Sequence, residues 1–373
     1  MDHKKLRAIG AGAVLALWLA LTLFAWFAPA KDASAAERRP LEQMPALNLE
    51  KLLNTEFMKD FESYTLDQFP LRDGFRTLKA IFHNYGLLQK DNNGIYIADG
   101  YAAKLDPALN MAALTGATDR FNRLYDTYLK DTDCNIYLSV IPDKGYYLAQ
   151  PNGYPTLDYD KLFSQAQSNI PWAEYIDITD HLSAEDYYFT DTHWRQEHII
   201  PVAQHLAQAM GVGRPSEKDF TSTALQRPFY GVYYGQAALP MPSETMYVLN
   251  SAVLEGCRVS GFDTMGRPTT MQVYNKADLD SADLYDIFLS GVEGYLTIEN
   301  PAAQTDRELV IFRDSFGSSL APLLVGSYAK ITLVDIRYMR MEMLQRLMEF
   351  DDQDVLFLYS TLVLNNPDAF QTA

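Results

Sequence analysis

At 373 residues, with 48% hydrophobic and 13% aromatic side chains, the chain can bury one large core or two modest ones, which excludes disorder on a large scale. Its 48 acidic residues against 31 basic ones give a formal charge of −17. Nucleic-acid binding relies on Lys and Arg to neutralise phosphates, so no DNA or RNA partner is expected.

In chain order the first element is apolar. Lys4, Lys5 and Arg7 precede an almost uninterrupted apolar run from Ala8 to Ala28, followed by Pro29. About 20 apolar residues match the hydrocarbon core of a bilayer, and positive charge in front of them holds the start in the cytoplasm. Residues 1–30 are therefore expected to be a signal anchor, a single transmembrane helix with the rest of the chain extracytoplasmic at the cell membrane. The small residues Ala33-Ser34-Ala35 keep a second reading open, a cleaved secretory signal, although the run exceeds the ~7–15 apolar residues usual there. Both readings export the chain.

Residues 31–56 read as a polar linker. Residues 57–91 read as a helical segment: Phe57, Phe61 and Tyr64 recur at helical spacing, Pro70 interrupts, and Phe75, Leu78 and Phe82 resume. An α/β domain is expected over 92–373. It opens with "NNGIYIADGY" (92–101) as a turn, a short strand and a turn, then a helix over about 106–131. "NIYLSVIPDKGYYL" (135–148) reads as a buried strand ending in a polar loop, "EYIDITD" (174–180) as a second strand, and 195–210 as a helix weakened at its start by Pro201. Between about 244 and 300, "ETMYVLN", "TMQVYN", "DIFLSG" and "GYLTIEN" predict a β-rich insertion with antiparallel pairing. The remainder alternates: an apolar strand running into a polar turn over 308–316, helix "GSSLAPLLVGSY", strand 330–338, helix "MRMEMLQRLMEF", strand 354–360. Such alternation indicates a mainly parallel sheet under helical cover.

Two cysteines, Cys134 and Cys257, are too few for a disulfide framework, and they read either as one bridge or as two buried apolar side chains. The six histidines include no HExxH motif. Asp191, His193, Glu197 and His198 crowd together, but a second histidine five residues on projects away from the first and no third ligand is evident, so no metal is expected.

Open α/β sheets place ligands beyond the carboxyl ends of their strands. Asp314 and Ser315 stand at such an end, where the strand turns into a helix. The backbone N–H groups of Ser315, Phe316 and Gly317 lie near that helix N-terminus and are candidates to stabilise an oxyanion. A serine becomes nucleophilic when a histidine takes its proton and a carboxylate orients the histidine. "FTDTHWRQEH" (189–198) offers both, since residues two apart in an extended segment point the same way, with Asp191 reaching Nδ1 of His193 and Nε2 left for the serine. The plainer reading has Asp191 and Ser315 as helix caps and His193 as an ordinary half-buried side chain.

"YYFTDTHW", followed much later by "FRDSFGSSL" and "VDIRY", resembles the DHHW protein family, which is similar to the SGNH-hydrolase-like domains of the alginate O-acetyltransferases AlgJ and AlgX. "FMKDFESYTLDQFPLRDGFRTLK" and "NNGIYIADGY" extend the likeness over most of the chain after the anchor. The resemblance implies an SGNH-hydrolase-like, flavodoxin-like three-layer α/β sandwich. It implies Asp191 as orienter, His193 as general base and Ser315 as nucleophile, carrying acetyl as an ester before it passes to a sugar hydroxyl of a cell-surface or exported polysaccharide. Arg313 stands where the ordinary SGNH block has Gly, and the usual separate Gly and Asn oxyanion donors have no counterpart.

Arg337 and Tyr338 at the next strand end, and Lys144 after an earlier one, are candidates to line the pocket. Trp194 is a candidate sugar-stacking wall or a packing residue. The scheme needs no cofactor. With one membrane span and acetyl-CoA confined to the cytoplasm, a multi-spanning membrane-bound acyltransferase of MBOAT type is the implied acetyl donor. An acetylesterase with the same three residues and a non-catalytic glycan-binding or assembly protein are the alternatives. The acidic surface requires a local basic patch if the glycan is anionic, and otherwise serves solubility.

Overall fold

The computed structural model describes residues 3–262 and 266–370. The chain forms two compact units, Met1–Asn92 with Tyr234–Pro240, and Asn93–Tyr233 with Met241–Ala373.

In the first unit, helix α1 (His3–Phe27) is long and apolar enough to cross a membrane, and its apolar window buries nothing within the protein. Helices α2 (Glu56–Asp67) and α3 (Arg72–Ile81) follow, separated at Pro70 as the sequence predicts. The stretch between α1 and α2 is pinned by charge. Buried Asp67 accepts two hydrogen bonds from Arg39, at 2.7 and 2.8 Å, and one from the Glu42 N–H at 3.0 Å. The Arg39 hydrogen bonds hold its carboxyl at about 2, below the usual range. Glu37 pairs with Arg72 and, at 3.2 Å, with Arg76. The returning segment 234–240 closes the unit: Arg76 donates to the Gly235 carbonyl at 2.8 Å, and a Cβ on Gly235 would stand 1.6 Å from the Ala36 oxygen.

The second unit is α/β. Strands β1 (Ile95–Ala98) and β2 (Tyr101–Lys104) form a hairpin whose two-residue turn, Asp99-Gly100, has positive φ at both positions. Helix α4 (Met111–Leu124), β3 (Asn135–Ile141), α5 (Tyr159–Asn169) and β4 (Glu174–Tyr175) come next, then α6 (Ile200–Ala209). Strands β5 (Thr221–Phe229) and β6 (Glu244–Asn250) pair antiparallel as a two-stranded sheet. They are followed by β7 (Arg258–Phe262), β8 (Pro268–Met271), β9 (Tyr295–Glu299), β10 (Glu308–Arg313), α7 (Phe316–Leu324), β11 (Lys330–Val334) and β12 (Asp354–Ser360).

Among the described residues the main sheet has eight strands in the order β8-β7-β9-β11-β10-β12-β3-β4. From β11 to β4 the pairing is parallel, and β9, β7 and β8 extend the β11 edge antiparallel. The strands alternate their side chains between two buried layers. On one face Leu309, Ile311, Leu356 and Leu358 pack with α6 and α7; on the other Val310, Phe312, Val355 and Phe357 pack with α4 and α5. Near-continuous burial on both faces explains why β10 and β12 read as unbroken apolar runs.

Several expected elements differ. The β-rich stretch is largely an extension of the main sheet, because β7 and β9 give its open edge a partner. "DIFLSG" is no strand: Leu284–Ile287 makes a tight helical turn that sends Tyr285 and Phe288 into the core. Residues 341–352 hold only two short turns, Met341–Met343 and Leu344–Leu347. Pro201 sits in the first turn of α6, which starts at Ile200 instead of 195. Cys134 and Cys257 are not bridged.

Buried Gln196 joins three elements: its Nε2 donates to the Ser319 carbonyl at 2.9 Å, and its Oε1 accepts from the Leu249 N–H at 2.8 Å and the Tyr274 hydroxyl at 3.1 Å. Gln196→Leu, which strands the Leu249 N–H, is expected to lower unfolding free energy by about 1–3 kcal/mol in denaturant titration.

Candidate active site

The segment around "DTHW" doubles back on itself. Tyr187 and Trp194 bridge antiparallel, the Tyr188 N–H donates to the His193 carbonyl at 3.1 Å, and the Arg195 N–H donates to the Asp186 carbonyl at 2.7 Å. No helix starts at once, so Asp191 does not cap the helix that follows it in the chain. Its Oδ1 accepts the His193 N–H at 3.1 Å and His193 Nδ1 at 2.6 Å, and its Oδ2 accepts the Val232 N–H at 2.9 Å. With Nδ1 bound to a carboxylate, Nε2 is the acceptor nitrogen. It lies 2.7 Å from Ser315 Oγ, 122 residues along the chain.

Ser315 occupies the turn between β10 and α7, and its hydroxyl makes no cap bond to the helix. Asp314 does the capping instead: its Oδ1 accepts the Phe316 N–H at 3.1 Å, and its Oδ2 accepts the Ser360 N–H at 2.8 Å. The serine hydroxyl is thereby left to the histidine. Asp191, His193 and Ser315 thus form one continuous hydrogen-bonded line, with Asp191 fully buried, His193 nearly so and Ser315 partly open.

The loop that carries Asp191 and His193 is suspended from buried groups elsewhere in the unit. Lys144 Nζ donates to the carbonyls of Tyr188 at 2.8 Å and Phe189 at 3.3 Å. Glu244 accepts the Thr190 N–H at 3.1 Å, the Gly231 N–H donates to Thr190 Oγ1 at 2.8 Å, and the Tyr233 N–H donates to the Thr190 carbonyl at 3.0 Å. Burial pushes the Lys144 amine down to about 7, against the opposing pull of Asp191 and Glu244. Burial also raises the Glu244 carboxyl.

Tyr285 lies flat on the imidazole of His193, with ring centres 3.8 Å apart and planes 7° from parallel. Its hydroxyl donates to Ser319 Oγ at 2.7 Å, and Trp194 Nε1 donates to the same oxygen at 2.9 Å. Helix α7 therefore carries Ser315 at its start and, one turn on, the hydroxyl that fixes the two rings beside the histidine.

Four expected pocket roles change. Trp194 is wholly buried, tied to Ser319 Oγ and, at 3.2 Å, to the Phe316 carbonyl, so it offers no sugar-stacking wall. Lys144 is buried beneath the loop and holds its backbone. The Phe316 and Gly317 N–H groups are engaged by Asp314, the latter through its carbonyl at 3.1 Å, which removes both as oxyanion donors. The Ser315 N–H has no acceptor among the described residues and is the remaining candidate. Gly317 has a steric role: a Cβ there would come within 2.7 Å of Arg313 Cβ. Arg337 is clamped on Asp335 at 2.9 and 2.6 Å and lies 5.3 Å over the ring of Tyr338, which is exposed. Among the described residues no group of three or more His, Cys, Asp or Glu side chains can hold a metal ion. Sequence reading missed Tyr285, Ser319, Glu244 and Gly231, because no periodicity or spacing joins them to Asp191 or Ser315.

No protein-family model and no curated protein matches the chain. Among solved structures it is similar to a DHHW family protein from Eubacterium siraeum, at 18% identity and a TM-score of 0.63, over 75% of this chain and 94% of that one. It is similar to Bacillus cereus PatB1 with a sulfonyl adduct, at 18% identity and a TM-score of 0.59, over 74% and 96% of the two chains. A second PatB1 structure gives 16% identity and a TM-score of 0.57 over 75% and 99%. The likeness is one of fold, and it matches the DHHW resemblance carried by the motifs.

Two substitutions probe the loop. A Cβ on Gly231 would stand 2.3 Å from Asp191 Cα and Cβ, so Gly231→Ala is expected to displace the carboxylate and slow the reaction of Ser315 with a sulfonyl fluoride about a hundredfold, with circular dichroism unchanged. Lys144 loses its proton near 7 when folded and near 10.5 when unfolded, so between those values the unfolded chain binds more protons. The wild type is therefore expected to gain stability relative to Lys144→Met as pH rises from about 7 towards 10.5, and to gain none below, in denaturant unfolding across that range.

Proposed function

We propose that the second unit is an SGNH-hydrolase-like O-acetyltransferase in which Ser315 carries the acetyl group, His193 moves the proton and Asp191 orients the histidine. The observation that carries this reading is the pair of contacts at His193, 2.6 Å to Asp191 and 2.7 Å to Ser315. The PatB1 structure with a sulfonyl adduct, similar in fold, supports it.

The chemistry follows from the geometry. Ser315 Oγ attacks the acetyl carbonyl carbon while Nε2 of His193 takes its proton, and the imidazolium so formed is held against Asp191. The tetrahedral oxyanion is met by the Ser315 N–H at the start of α7, where the helix dipole adds its positive end. Collapse expels the donor alcohol, protonated by His193, and leaves acetyl-Ser315. A sugar hydroxyl then gives its proton to His193 and attacks the ester, releasing acetylated glycan and free Ser315.

The glycan acceptor is inferred from the DHHW, AlgJ and AlgX resemblance together with the export signal at the N-terminus. That reading calls for an acetyl donor on the exported side, delivered by a membrane-bound acyltransferase. Water in place of the sugar makes the same residues an acetylesterase.

Full-length protein mixed with p-nitrophenyl acetate is expected to acquire an acetyl group visible by intact mass. Ser315→Ala and His193→Ala are expected to abolish labelling, and Asp191→Asn to slow it by about 10⁴-fold. Candidate polysaccharides that gain acetyl identify a transferase, and turnover by water alone an esterase. Equal behaviour of wild type and variants with equal melting points would favour a glycan-binding or assembly role.

A further inference from the structure

The two units differ sharply in what they leave exposed. Among the described residues, the second unit exposes four large apolar side chains, Tyr230, Val292, Tyr338 and Met343, whereas residues 44–88 alone expose fifteen. Five of those fifteen form one stripe. Leu71, Phe75, Leu78, Phe82 and Tyr85 recur at steps of four and three along α3 and the turn that continues it, and their exposure runs from 44% to 74%.

The orientation is the reverse of a helix in a water-soluble protein. Arg72 and Arg76 lie on the inner side, paired with Glu37, while the apolar stripe faces outward. The start of α3 is also tied to the end of α1. The Lys31 N–H donates to Gln68 Oε1 and Gln68 Nε2 donates to the Lys31 carbonyl, both at 2.9 Å, three residues before Leu71. The stripe therefore begins where the candidate membrane span ends.

Charge separates the units in the same sense. Residues 1–92 hold 12 Lys and Arg against 11 Asp and Glu, and the rest of the chain holds 19 against 37. An anionic lipid surface repels the second composition and tolerates the first.

We infer that α3 is an interfacial helix whose Leu71-Phe75-Leu78-Phe82-Tyr85 stripe lies in the lipid surface of the membrane that α1 crosses. Leucine and aromatic side chains on the lipid face, with arginines on the opposite side, suit burial ~5–10 Å into the boundary between headgroups and acyl chains. The inference rests on α1 as a span and is independent of the chemistry at Ser315.

The test uses the full chain in phosphatidylglycerol and phosphatidylcholine nanodiscs, with Cys134→Ser and Cys257→Ser as background. Nitroxide labels go on Trp18→Cys, Leu78→Cys, Phe82→Cys and Val292→Cys, and collision with oxygen and with a water-soluble nickel chelate is measured. Retained folding is checked by circular dichroism and by an unchanged melting temperature. Labels at 78 and 82 are expected to meet the nickel chelate severalfold less often than the label at 292, and to lie shallower than the label at 18. Nickel access at 78 and 82 equal to that at 292, with 18 deep, overturns the interfacial helix while leaving the span in place. Shielding at 78 and 82 that persists in detergent and grows with protein concentration overturns it in favour of a second copy. A label at 18 open to nickel overturns the span and the inference together.

Discussion

Removing a carboxylate from water costs several kcal/mol unless donors meet its oxygens. Asp191 is fully buried, and both of its oxygens are met: one by the ring and backbone N–H of His193, the other by the Val232 N–H. That requirement organises the second unit. It brings segment 231–233 against the loop, demands a residue without a Cβ at 231, and fixes the imidazole so that its far nitrogen meets Ser315.

The loop itself has little regular structure, so its rigidity comes from what surrounds it. Lys144 at the end of β3 and Glu244 at the start of β6 bond its carbonyls and an N–H, and each is a charged group moved out of water to do so. Neutralising an amine by burial keeps two N–H donors for two carbonyl acceptors, so Lys144 serves the loop on either side of its titration. The same low-dielectric surroundings strengthen the contacts between Asp191, His193 and Ser315.

Tyr285 links the β-rich stretch to the site. The short turn Leu284–Ile287 lays its ring on His193, and its hydroxyl shares Ser319 with Trp194. Face-to-face packing against that ring holds the imidazole in the plane that points its Nε2 at Ser315. The stretch beyond α6 therefore both completes the sheet edge and walls the histidine.

Period and composition along the chain determined the elements whose signals are local: the apolar span of α1, the break at Pro70, the continuous apolar strands β10, β11 and β12, and the i, i+2 relation of Asp191 to His193. The order Asp-x-His before Ser, with the strand-to-helix turn at Ser315, also picked out three residues that lie in hydrogen-bonding distance. Only the tertiary structure decided which neighbours they have. Trp194 turns inward because its N–H finds Ser319, Lys144 is drawn under the loop by two carbonyls, and Gly231 is required by an aspartate 40 residues earlier. These are contacts between segments distant in sequence, set by packing and by the need to satisfy buried polar groups, and no local periodicity encodes them.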